Sequence, residues 1–144
     1  MKLRNIFSAI AAIFALGAVA ITPSVSAAMV QSGADILYSG TWTKKSQKSA
    51  GNWSIYREGD TTYLKLSADF KTRGAPDLKL FLSPQAASAA NGKNATNGAV
   101  LIAPLQSNKG EQVYTIPAGV DLANFSSVLI HCEQYSKLWS AADL

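Results

Sequence analysis

Thr61-Thr62-Tyr63-Leu64-Lys65-Leu66-Ser67-Ala68-Asp69-Phe70 is the most regular stretch of the chain after its apolar beginning. In an extended backbone Leu64, Leu66, Ala68 and Phe70 fall on one side, and Tyr63, Lys65, Ser67 and Asp69 on the other. A period of two with one apolar side predicts a β-strand that buries one face and leaves the other wet or covered.

The pattern repeats in both directions from there. Upstream, residues 52–57 place Trp53 and Ile55 on one face and end at Glu58-Gly59-Asp60, a hairpin turn signal. Residues 36–43 form an extended segment around Gly40-Thr41-Trp42, followed by a polar connection over 44–51. Downstream, residues 72–76 turn the chain, and 77–83 alternate Leu78, Leu80 and Leu82 with Lys79 and Phe81, which predicts a hairpin with the 61–70 strand.

Residues 84–98 are rich in Ala, Asn, Gly and Ser and offer little to bury, so they read as an exposed loop with room for a short alanine-containing helix over 84–90. Strands are expected over 100–105 and 111–116, separated by Asn108-Lys109-Gly110. One turn capped by Asp121 is expected over 120–125, then a strand from Ser127 and a last, shorter extended piece over 137–139. No sustained helical period occurs after residue 33. Seven or eight short strands predict an all-β single domain, either a β-sandwich or a partly closed antiparallel barrel.

The beginning of the chain is of another kind. Lys2 and Arg4 precede an apolar, uncharged run over 6–21, Pro23 breaks it, and Val25-Ser26-Ala27 supplies small residues at a cleavage site. This is the pattern of a signal peptide over residues 1–27, cut before Ala28. The run is short of the roughly 20 apolar residues a membrane span wants, so no stable span is expected after cleavage. The expectation is an exported protein, periplasmic or secreted, with one β domain over 28–144. Cleavage lowers the net charge from +4 to +2, because it removes Lys2 and Arg4 and no acid. That charge gives no case for a nucleic-acid partner, and Lys44, Lys45 and Lys48 read as a solvated loop.

Ser127-Val128-Leu129-Ile130-His131-Cys132-Glu133-Gln134-Tyr135 carries the one Cys and the one His of the 144 residues. As a strand it sends Val128, Ile130 and Cys132 one way and Leu129, His131 and Glu133 the other, so His131 and Cys132 diverge and do not form a dyad. A single Cys cannot make an internal disulfide, and the fold must be held by its core. Cys132 is therefore a buried small hydrophobe, a free thiol with a use, or a handle for an intermolecular bridge.

The ordered pieces Gly40-Thr41-Trp42, Leu64-x-Leu66-x-x-Asp69-Phe70, Ala75-Pro76-Asp77-Leu78 and Phe81-Leu82-Ser83 resemble the DM13 domain family. The likeness continues through Gly110-x-Gln112-x-Tyr114-x-Ile116-Pro117, Val120-Asp121-Leu122, Phe125-x-Ser127-Val128-x-Ile130-x-Cys132 and Ala142-x-Leu144, and so spans about residues 40–144. The resemblance, to a small exported bacterial-type member, implies a β-rich extracytoplasmic module with a role in electron transfer or redox chemistry centred on a cysteine, here Cys132. Some relatives have Trp where this chain has His131, and Gly where it has Ala75. The haem- or sugar-binding domains sometimes joined to the family would have to come from another chain.

Residue counts limit the chemistry further. A blue-copper centre wants two His, c-type haem wants Cys-x-x-Cys-His, an iron–sulfur cluster wants four ligands, and a lone His-Cys pair gives no zinc spacing. No cofactor or metal is therefore expected within this chain. Asp69 and Asp77, either side of the 72–76 turn, could serve as an acid/base pair or a calcium site, but Asp77 reads more simply as bonding turn amides after Pro76. There is no Gly-x-Ser-x-Gly elbow, His-Glu-x-x-His or phosphate loop, so no catalytic constellation is visible and the chain is not expected to be an enzyme by itself. Trp42, Trp53, Tyr56, Tyr63, Tyr135 and Trp139 fit core or sheet cover better than a ligand groove. Two readings follow: a module whose Cys132 takes part in redox or electron transfer with a redox or envelope protein partner, and a non-catalytic ligand- or protein-binding module in which Cys132 is core packing.

Overall fold

A computed structural model describes residues 33–144. The expected signal peptide over 1–27 lies outside the described residues. Nine strands follow in order: β1 (Asp35–Thr41), β2 (Thr43–Lys44), β3 (Asn52–Glu58), β4 (Thr61–Leu66), β5 (Leu78–Ser83), β6 (Val100–Pro104), β7 (Gln112–Thr115), β8 (Ser127–Cys132) and β9 (Lys137–Asp143). A single 3₁₀ turn, Leu122–Asn124, precedes β8, with the Asp121 side chain accepting from Ala123 N as an N-cap does.

The strands form two antiparallel sheets, β1-β3-β4-β7 and β2-β9-β8-β5-β6. One core cluster draws on both. Trp53, Ile55, Leu64, Leu66 and Tyr114 come from the four-stranded sheet; Leu80, Leu82, Ile102, Val128, Ile130, Cys132 and Trp139 come from the five-stranded one. The molecule is thus a β-sandwich, not a closed barrel among the described residues. At about 1.5–3 kcal/mol for each large apolar side chain buried, sheet-on-sheet packing holds the fold without a disulfide. No helix among the described residues is long and apolar enough to cross a membrane.

The turn at Glu58-Gly59-Asp60 forms as expected: Glu58 pairs with Thr61, leaving Gly59 and Asp60 as the loop. Gly59 has φ +58, the left-handed value that a tight hairpin turn requires and glycine adopts without strain. The expected hairpin between the 61–70 and 77–83 strands does not form. β4 pairs with β3 and β7, β5 pairs with β6 and β8, and the segment between them carries the chain from one sheet to the other. The apolar faces of β4 and β5 consequently oppose each other across the core instead of lying side by side. Strand β4 ends at Leu66, so Ala68 is exposed while Phe70 returns to the core.

The final strand is longer than expected, seven residues rather than three. Its register against β8 jumps from Ile130↔Ser140 to His131↔Leu138, so Trp139 is an extra residue in a bulge. The bulge lets Trp139 and Ala142 enter the main core while Leu138 and Ala141 face the opposite side. A strand interrupted this way has no period of two to read.

Residues 84–98 are not an exposed loop throughout. Ala87, Ala90 and Ala95 are buried, and with Phe81, Leu129, Leu138 and Ala141 they form a second apolar cluster on the outer face of the five-stranded sheet. The segment is a cap.

Candidate functional site

Cys132 is the last residue of β8 and is wholly buried. Its side chain belongs to the core between the sheets, as the alternation Val128, Ile130, Cys132 requires. Its Cα pairs with Leu78, the first residue of β5, on one side and with Lys137, the first residue of β9, on the other. The thiol thus lies at the end of the paired region. Next along the chain before Leu78 come residues 73–77, which belong to no strand; Ala75 there packs against the core cluster and Asp77 O accepts from Glu133 N at 3.2 Å.

His131 faces the opposite way, beneath the cap, at 3 % exposure. Its Nε2 stands 3.3 Å from Gly92 O, and Phe81 meets the ring edge-on with centroids 6.1 Å apart. Nδ1 is buried with no partner. The expected divergence of His131 and Cys132 is therefore what the structure contains: the two side chains lie on opposite faces of one sheet, and the imidazole cannot act on the thiol.

Polar side chains on the outer face of the sheet tie the cap down. Ser83 Oγ donates to Ala95 O, Ser127 Oγ donates to Gln85 O at 2.6 Å, and Asp143 Oδ1 accepts from Ala87 N at 2.6 Å. Each satisfies a backbone group that burial would otherwise strand at a cost of about 1–3 kcal/mol. Sequence reasoning missed all three as anchors, since Ser and Asp at strand ends give no such signal until the cap is seen to fold over them.

The two aspartates flanking the crossover do not converge into a site. Asp77 Oδ1 pairs with Lys79 Nζ at 3.3 Å, and Lys79 also bonds Glu133; Asp69 Oδ1 accepts from Ser67 Oγ. Glu133 first, and Asp77 after it, hold the Lys79 ammonium above its ordinary range. The Asp77 carboxylate is thus engaged by a lysine rather than by the turn amides expected after Pro76. Among the described residues no group of three His, Cys, Asp or Glu side chains is placed to hold a metal ion.

Of the aromatic residues, Trp42, Trp53 and Trp139 are buried, with Trp42 tilted against both Trp53 and Phe70 at 6.3 and 6.4 Å. Tyr56 and Tyr63 stack on each other at 5.2 Å, and Tyr135 is exposed. No shared aromatic groove brings the six together.

The Electron transfer DM13 family matches residues 41–144, from the end of β1 to the last residue. The chain belongs to the DM13 family. Neither a curated protein nor a solved structure matches it. The family description connects this DM13 domain with electron transfer, and Cys132 is its one thiol.

Proposed function

We propose that this DM13 domain works outside the cytoplasm in electron transfer, with Cys132 as its redox residue and a second protein as its partner. The observation that carries the reading is the position of the thiol at the end of β8, next to segment 73–77, which belongs to no strand and is tied by the bonds from Trp139 Nε1 to Arg73 O and from Glu133 N to Asp77 O, and not at the middle of the sheet. Local opening of that short segment uncovers Cys132 without separating the two sheets. The chemistry is then thiol–disulfide exchange. Cys132 loses its proton, its sulfur attacks one sulfur of a partner disulfide, a new S–S bond forms as the old one breaks, and the partner's other sulfur leaves as a thiolate that takes up a proton.

A second reading is favoured by the complete burial of Cys132: the thiol is core packing and the domain is a binding module. Thiol labelling of the native protein across sub-denaturing urea separates the two. Local opening predicts a labelling rate nearly independent of urea, and a mixed disulfide with added glutathione disulfide that Cys132→Ala cannot form. A rate that rises with urea as steeply as global unfolding removes the redox reading and leaves the binding module.

A further inference from the structure

Four lysines from three separate parts of the chain meet at one groove of about 680 Å³. Lys44 and Lys45 come from β2 and the residue after it, Lys93 from the cap, and Lys137 from the start of β9. The stretch 136–138 is gripped from both sides. Ser46 N and Oγ both donate to Leu138 O, at 3.0 and 2.7 Å, and Gly92 lies so close that a Cβ on it would stand 2.1 Å from Ser136 O. The groove therefore has two walls, 44–46 and 90–93, with Leu138 supplying an apolar floor.

None of the nine Asp and Glu residues lines it. The ion pairs among the described residues use Lys65 and Lys79, leaving the four groove lysines without a carboxylate. Like charges gathered around one recess repel one another and draw an anion from solution. The charges are all lysine, compact cations on flexible stems, each able to meet a separate carboxylate of an acidic chain. Lys44 and Lys45 stand on one wall and Lys93 on the other, a two-sided arrangement that an extended chain can follow.

We propose that this groove docks an extended acidic segment of a partner protein. The proposal rests on the reading above only in taking that partner to be the redox protein. Lys137 is the Cα partner of Cys132 across β8 and β9, so a segment held in the groove lies at the end of the sheet where the thiol sits.

The test is binding of a fluorescein-labelled oligoglutamate peptide to the full chain, followed by anisotropy at rising salt. The variant K44Q/K45Q/K93Q/K137Q, with Lys44, Lys93 and Lys137 exposed and Lys45 half-buried, is expected to fold and to lose about tenfold or more in affinity with a flatter salt dependence. K71Q/K109Q, which leaves the groove untouched, is expected to bind within about twofold of the parent. Equal loss in both variants overturns the proposal, as does no peptide binding. Binding of phosphatidylglycerol vesicles or inorganic phosphate through the four lysines, without binding of the peptide, also overturns it. Cys132→Ala is expected to bind the peptide unchanged, so failure of the redox reading and failure of the docking site are read separately.

Discussion

Strand β8 is covered on both faces, and the two covers are made of different material. Inward, Val128, Ile130 and Cys132 meet large side chains of the opposite sheet such as Trp53 and Leu64. Outward, Leu129 and His131 meet alanines and backbone of the 84–98 cap. A sheet-on-sheet interface is filled by volume, so removing volume does the damage there. A cap of alanine and glycine lies close to the sheet, so adding volume does the damage there. The same contrast separates the two adjacent residues of chemical interest. Cys132 is enclosed between two sheets, while His131 is enclosed by a single layer of irregular chain.

The contrast can be broken first on the core side. Leu64→Ala, at a fully buried position opposite β8, is expected to lower stability by about 2–5 kcal/mol, read as a shift of the urea midpoint with little change in slope. A loss below about 1 kcal/mol would show that the inner interface is loosely filled and that the two covers do not differ. On the cap side, Gly92→Ala sets a Cβ against Ser136 O, a backbone atom that cannot swing away. A loss of about 1–3 kcal/mol is expected, together with faster amide exchange in the cap and unchanged exchange in β4. Exchange rising equally in both regions would make the cap and core one cooperative unit.

The smallest effect sharpens the comparison through pH. Burial pushes the Tyr114 hydroxyl above its ordinary value of 10.0, against the opposing effect of the Gln106 N–H, which donates to it at 2.9 Å. The folded state therefore keeps a proton that the unfolded chain gives up. This stability is present in full below pH 10 and is lost as pH rises through the folded value. Denaturation curves on the alkaline side should slope downward, and Tyr114→Phe should reduce that slope while costing about 1 kcal/mol at neutral pH through its lost hydrogen bonds. An unchanged slope would assign alkaline unfolding to other groups. Lys79, raised by Glu133 and Asp77, works in the same direction.

Where local patterns are strong, sequence and structure agree. The alternation in β4 and β5, the Gly59 turn between β3 and β4, the Asp121 cap and the opposite facing of His131 and Cys132 depend on backbone geometry over a few residues. The DM13 likeness was legible for a different reason, since it lies in the order of many short pieces along residues 41–144. Pairing was legible only where the turn itself dictates it. β4 and β5 are neighbours in sequence with complementary apolar faces, yet placing them in opposite sheets buries those faces against each other, and no local signal distinguishes that from a hairpin.

The amino-acid sequence by itself therefore determined which segments are extended, which side of each is apolar, and that one thiol and one imidazole stand back to back at the end of a strand. Only the tertiary structure decided what covers those sides. The cap exists because Ser83, Ser127 and Asp143 satisfy its backbone and Phe81 and Leu129 offer it an apolar bed, a match between segments up to about 56 residues apart. The bulge at Trp139 and the meeting of Lys44, Lys45, Lys93 and Lys137 have the same origin. Each depends on register between strands, and register is fixed by the whole buried interface rather than by the residues that reveal it.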